Sequence, residues 1–124
     1  MSESISWSLT AGGTSGSGIN TAGATIGDAV VTASVDLEAN SGERDLTLQV
    51  DNIEKVTFLA ISSDLLDGKV SVKATSDTAT KLTGPILLFG HAVKLFADDL
   101  TTLTIHNESV DKPAKVSVLI GLSV

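Results

Sequence analysis

Thr102-Leu103-Thr104-Ile105-His106-Asn107 and Val116-Ser117-Val118-Leu119-Ile120-Gly121-Leu122, separated by the polar stretch Glu108 to Pro113, are apolar at every second residue. Leu103 and Ile105 alternate with threonines and His106; Val116, Val118, Ile120 and Leu122 alternate with Ser117, Leu119 and Gly121. A period of two is the mark of a half-buried strand, because successive side chains on a pleated backbone point to opposite faces. The two runs are therefore expected to close the fold as a strand pair meeting across a turn.

Upstream the same pattern recurs. Val31, Ala33, Val35 and Leu37 form a strand that stops at Glu38-Ala39-Asn40-Ser41-Gly42, and Leu46, Leu48 and Val50 return from it. Asn40-Ser41-Gly42 tolerates positive φ, so a hairpin with a longer loop is expected there. Val56 to Ile61 is apolar on both faces, as a central strand between two layers is. Val70, Val72 and Ala74 alternate with Ser71 and Lys73, which fits an edge strand with one wet face. Pro85 opens the apolar run Ile86 to Phe89, and Gly90-His91 separates it from Val93 to Phe96. At the amino end, Ile5, Trp7 and Leu9 alternate with serines, Ala11 to Gly18 reads as a Gly/Ser-rich loop or arm, and Ile19 to Gly27 has no decided period.

The count is eight or nine short strands spaced by roughly ten residues, and no segment has an apolar face at helical spacing. The fold class is thus an all-β antiparallel β-sandwich. An eight-stranded jelly roll is preferred to the alternative, an immunoglobulin-like sandwich, because the latter often buries a tryptophan in its third strand and Trp7 stands far from that position. Residues 1–27 are expected to form a strand plus arm, and residues 28–124 the body of a single domain.

A chain of 124 residues can bury a self-standing core. With 42% hydrophobic residues but only 3% aromatic ones, that core must be built from Val, Leu, Ile and Ala. Fifteen acidic against eight basic residues leave a net charge of −7, which repels both a phosphate backbone and an anionic bilayer. Neither nucleic acid nor membrane is expected as a partner. Without cysteine the fold cannot depend on a disulfide, whatever the compartment. Met1-Ser2-Glu3-Ser4 carries no basic segment followed by an apolar stretch, and no apolar run approaches the roughly 20 residues that cross a bilayer, so a soluble product of cytoplasmic translation is expected.

No pattern organises chemistry. His91 and His106 are the only imidazoles and do not stand at a spacing that puts two ligands on one metal. Asp64 and Asp67, and Asp98-Asp99, lack the dense alternation of a calcium loop and suit turns, where Asp bonds its own backbone. The aromatic residues Phe58, Phe89 and Phe96 sit in apolar runs that suit core packing rather than a sugar subsite. Gly13-Thr14-Ser15-Gly16-Ser17-Gly18 has neither the spacing of a nucleophile elbow nor the lysine of a phosphate loop. Asn107-Glu108-Ser109 matches a glycosylation acceptor pattern, which is short enough to arise by chance. The expectation is no enzyme, with no catalytic residue, cofactor or metal.

Asp98-Asp99-Leu100-Thr101-Thr102-Leu103-Thr104-Ile105-His106-Asn107-Glu108-Ser109, followed by Ala114-Lys115-Val116-Ser117-Val118-Leu119-Ile120-Gly121, resembles the closing strands of small β-sandwich virion proteins of tailed bacteriophages, notably capsid cement or decoration proteins. About a quarter of the chain carries the resemblance in detail; the rest shares its style of Thr/Ser-rich alternation without cysteine. The resemblance implies a homo-oligomer, a trimer before a dimer, made in the host cytoplasm and bound on the capsid surface between capsomers. Its partners would be the major capsid protein and copies of itself. Ile5, Trp7, Leu9 and Ile19 are the expected contact residues, with Trp7 the leading anchor and the Val70 to Ala74 edge a further one. A tail or other assembly subunit, and a carbohydrate- or receptor-binding module, are the alternatives.

Overall fold

The computed structural model describes residues 3–12, 16, 18–27, 29–40, 42–48, 50, 52–74 and 78–123; of residues 3 and 25–27 it describes the backbone. In chain order the strands are β1 (Glu3–Gly12), β2 (Gly18–Gly27), β3 (Ala29–Leu37), β4 (Arg44–Thr47), β5 (Val56–Ser63), β6 (Val70–Ala74), β7 (Thr80–Lys81), β8 (Ile86–Phe89), β9 (Thr102–Asn107) and β10 (Ala114–Leu122). Two short 3-10 helices, Ile53–Lys55 and Gly90–Leu95, complete the regular structure of the described residues.

Two four-stranded antiparallel sheets form the body, in the orders β3-β10-β5-β8 and β4-β9-β6-β7, and β1 pairs with β2 as a separate ribbon. The pairings nest: β3 with β10, β4 with β9, β5 with β8, β6 with β7. The body is in effect one long hairpin rolled up, so that alternate pairs fall in opposite sheets. Inward residues of the first sheet, among them Leu37, Leu59, Ile61, Val116, Val118 and Ile120, meet Val70, Val72, Leu103 and Ile105 of the second in one aliphatic core. Leu48, Val50, Val93, Ala97 and Leu100 close one end of it.

This arrangement departs from the sequence reading at several places. Val31–Leu37 and Leu46–Val50 are not a hairpin: β3 and β4 belong to different sheets, so the chain passes from one sheet to the other between Leu37 and Arg44. Leu37 and Leu46 both pack into that core from opposite sides, which a shared sheet would forbid. Asn40, at φ 52°, turns the chain, and its amide donates to Ser109 O at 2.6 Å. β9 and β10 likewise do not pair with each other but cross between the sheets, because their long alternating runs take the central places of each. Val70–Ala74 is an inner strand: β9 pairs one side of it and the two residues of β7 cover part of the other. Val93–Phe96 is not a strand either. Residues three apart share a face of a 3-10 turn, and the Phe96 amide donates to Val93 O at 3.0 Å, so that face packs on the core while Leu95 stays exposed. Ile19–Gly27, undecided from its period, is β2, and the strands of the ribbon run on to Gly12 and Gly18. Residues 13–15 and 17 of the expected loop lie outside the described residues.

The crossovers after β3, β5 and β9 gather at one end of the sandwich, where the Asn107 side chain ties the first of them to the last. It is fully buried; its Nδ2 donates to Lys112 O at 2.9 Å and Glu38 O at 3.2 Å, and its Oδ1 accepts from the Ser109 amide at 3.0 Å. The glycosylation-like triplet is therefore occupied by a turn, with Asn107 and Ser109 both inside. Since each buried polar group left unpaired costs about 1–3 kcal/mol, Asn107→Ala is expected to destabilise the domain by about 3 kcal/mol in urea unfolding. A loss below about 0.5 kcal/mol would show that Asn107 does not tie this end.

Candidate functional site

Between Ser4 and Gly27 the chain carries no charged residue. β1 and β2 pair in unbroken register from Glu3–Gly27 to Gly12–Gly18. Directly opposed residues share a face, so Ile5, Trp7, Leu9, Ala11, Ile19, Thr21 and Gly23 line one side of the ribbon, while Ser4, Ser6, Ser8, Thr10 and Asn20 line the other. On that polar side Thr10 Oγ1 donates to Asn20 Oδ1 at 3.4 Å.

The root of the apolar side sits on the outer face of the β3-β10-β5-β8 sheet. Ile5 is 7% exposed and rests on Gly121 of β10, where an added Cβ would stand 2.8 Å from Ile5 Cδ1. Trp7 lies over Gly23, where a Cβ would come within 2.9 Å of the indole, and packs against Phe89 of β8 with ring centroids 4.7 Å apart and planes at 53°. Phe89 in turn meets Phe58 of β5 edge-on at 5.2 Å, so Phe58 is buried although it projects outward from its sheet. With Ile5 over β10 and Trp7 over β8, the ribbon crosses the sheet towards its β8 edge. Beyond Trp7 all described residues up to Gly12 and from Gly18 to Ala24 are exposed. The apolar side thus continues past the body, with Leu9 40% and Ile19 59% exposed. A lone two-stranded hairpin is marginally stable in water, so this ribbon draws its order from its root.

Farther along the same outer face is an open groove of about 430 Å³. Its floor is two cross-strand rows, Ser34–Ser117–Ser62 and Thr32–Leu119–Ala60, and among the described residues its lining contains no charged side chain. Small residues on three neighbouring strands leave this space.

Among the described residues the ionisable groups do not converge on a reaction centre. Glu54 and Lys94 form an ion pair beside His91 at a hollow of about 150 Å³. The hydrogen bond from Lys94, and then its charge, hold the Glu54 carboxyl below its ordinary range. A carboxylate so held is a poor proton donor near neutrality. Asp99 accepts from the Thr101 amide at 2.8 Å and from its hydroxyl at 2.7 Å, which lowers its pKa. Asp67 accepts from the Lys69 amide, and Asp64 from the Lys115 amide at 2.8 Å. His106 is half-exposed, 3.7 Å from a Glu108 oxygen. Among the described residues no group of three or more His, Asp or Glu side chains is placed to hold a metal ion, and no helix is long and apolar enough to cross a membrane.

Of the four contact residues read from the sequence, the structure aligns all on one face of the ribbon but divides them: Ile5 and Trp7 fasten it to its own body, Leu9 and Ile19 stand in solvent. The groove had no signal in any single run, since Ser34, Ser62 and Ser117 read as ordinary wet-face serines until strand register sets them in a row. Comparison of the chain with protein-family models, with curated proteins and with solved structures gave no match.

Trp7 Nε1 is buried and finds no acceptor among the described residues. Trp7→Phe, which keeps the ring and removes the unpaired donor, is expected to change stability by less than about 1 kcal/mol, whereas Trp7→Ala should cost about 2 kcal/mol and release hydrogen-exchange protection along β1 and β2. Equal protection in both variants would show that the indole does not hold the ribbon.

A lowered folded pKa means that the stabilisation from Asp99 is present above its unfolded pKa and is lost as pH falls through the lower, folded value. In a carboxyl-carbon NMR titration Asp99 is expected to titrate below an ordinary aspartate, and Thr101→Ala to bring it back up.

Proposed function

We propose that this protein is a non-catalytic structural subunit of a virion, a cement or decoration protein that stabilises a tailed-phage head by binding between capsomers as a homo-oligomer. The observation that carries this reading is the apolar side of the β1–β2 ribbon, which is fastened at Ile5 and Trp7 and then presents Leu9 and Ile19 to solvent. An ordered, uncharged, partly apolar element held out from an acidic body is suited to association. Apolar side chains in line and exposed mark interaction surfaces.

The nested strand pairing supports a jelly roll over an immunoglobulin-like sandwich: counted along the body, the sheets run first-eighth-third-sixth and second-seventh-fourth-fifth. Two interlocked Greek keys of this kind recur in capsid subunits and in many other proteins, so the strand order adds compatibility while the ribbon carries the function. A stable interface takes about 800 Å² from each partner, and repetition over a lattice multiplies weak contacts. The groove has no aromatic lining residue to stack on a sugar ring, which leaves a glycan-binding reading without support from it.

Co-sedimentation with capsids, together with imaging of the particle, tests the proposal. The wild-type chain is expected on the shell in symmetric copies. Leu9→Asp and Ile19→Asp, at exposed positions, should leave unfolding of the free protein within about 0.5 kcal/mol of wild type while lowering particle association about tenfold or more. Finding the wild-type protein only free in lysate would end this reading.

A further inference from the structure

We propose that the distal half of the β1–β2 ribbon of one copy docks in the uncharged groove over β3, β10 and β5 of a second copy. The inference rests on reading the ribbon as the association element, and names what that element binds.

The outer face of the β3-β10-β5-β8 sheet already accepts this ribbon within one chain. Ile5 seats on Gly121 and Trp7 on Phe89. Two residues along β10 from Gly121 is Leu119, and two along β5 from Phe58 is Ala60, both lining the groove. The groove is thus continuous with an apolar seat for this same element. The described part of the ribbon does not fill it in its own molecule, because the root runs from β10 towards the β8 edge and, among the described residues, the groove lining contains none from the ribbon. The donor must be another molecule.

The adjoining seat's fit to this same ribbon names a second copy as that molecule, and charge permits it. At a net charge of −7, two copies repel wherever their acidic surfaces face. The ribbon from Ser4 to Gly27 and the groove of Thr32, Ser34, Ala60, Ser62, Ser117 and Leu119 are free of charge, so bringing them together opposes no like charges and strands no ion. Size agrees. An apolar cavity of about 150 Å³ takes up a benzene-sized group, so about 430 Å³ admits the side chains of both Leu9 and Ile19. The serine hydroxyls on the floor are met by Thr21, which stands directly opposite Leu9 on the same side of the ribbon. Because ribbon and groove are different surfaces, the contact propagates head to tail, and closes as a ring when the rotation permits.

The chain has no cysteine, so introduced thiols report only the chosen pair. Ile19→Cys protein is mixed with Ser117→Cys protein, both substitutions being at exposed positions, and the mixture is oxidised and resolved without reductant. A disulfide needs Cα atoms within about 7 Å, so it forms only if ribbon and groove meet. The expected product is the mixed species of twice the chain mass, in excess over either self-linked one, and Leu9→Asp in the ribbon-bearing chain should reduce it about tenfold or more. Ile19→Cys linking mainly to itself would place two ribbons against each other and overturn the docking, as would absence of any cross-link at concentrations approaching those reached on a particle. The assay uses free protein. Co-sedimentation with capsids without the cross-link would overturn this docking and leave the cement reading standing; the cross-link without co-sedimentation would do the reverse.

Discussion

The insertion of Ala114–Leu122 between β3 and β5 is the constraint on which the rest of the structure depends. All nine residues pair with β3 and Val116 to Leu122 pair with β5, so every inward side chain from Val116 to Ile120 is covered by neighbours on each side as well as by the opposite sheet. The strand's other face is set by the same alternation. Ser117, Leu119 and Gly121 point outward, and their sizes decide what that face can accept: Gly121 admits Ile5, while Ser117 together with Ser34 and Ser62 leaves the groove open. One strand therefore supplies the centre of the core and the floor of the candidate site. A larger side chain at Gly121 would displace the ribbon root before it disturbed the sandwich, since its added atoms would strike Ile5 and Thr57 rather than the core.

Strand identity was legible because it is local. The runs at Val31–Leu37, Val56–Ile61, Val70–Ala74, Ile86–Phe89, Leu103–Asn107 and Val116–Leu122 are each marked within a window of a few residues, by a period of two or by a short apolar run, and all are strands. Pairing was not legible, because the partners of most strands lie far away in the chain. Asn40-Ser41-Gly42 has the residues of a hairpin loop, but turn chemistry fixes only that the chain bends; burial of Leu37 and Leu46 on opposite sides of one core decided where it went. Val93–Phe96 misled for a related reason: four residues cannot distinguish a period of two from a period of three. At the candidate site, Ile5, Trp7, Leu9 and Ile19 could be picked out as apolar residues in a Ser/Gly-rich segment, whereas their division into fastened and exposed pairs depends on where Gly121, Gly23 and Phe89 lie in space.

Exposure alone does not distinguish the ribbon, because Leu95 and Val110 are more exposed than either Leu9 or Ile19. They differ in surroundings. Leu95 ends a 3-10 turn beside Lys94, and Val110 lies in the crossover between Glu108 and Asp111, so each is a single apolar side chain among charged neighbours. Scattered residues of this kind are normal on any soluble surface. Leu9 and Ile19 instead continue a line that begins with Ile5 and Trp7, on an element with no charged residue from Ser4 to Gly27. The absence of charge matters on an acidic protein, because it marks the region where a like-charged neighbour can approach without repulsion.

The root contacts also bear on how strongly such a surface can bind. A segment that orders only on contact loses conformational entropy at that moment, about 1–2 kcal/mol for each residue fixed, and most of the gain from burying two aliphatic side chains would be consumed. Here β1 and β2 are already paired, and Ile5 and Trp7 hold the pair against the body. The ordering cost is met when the domain folds, by burial of Ile5, Phe58 and part of Trp7. Leu9 and Ile19 are then presented at fixed positions, and in the proposed association their burial of apolar area would contribute with little offset. Separation of fastening from presenting residues along one face is what would let a ribbon this short serve as the binding element proposed for it.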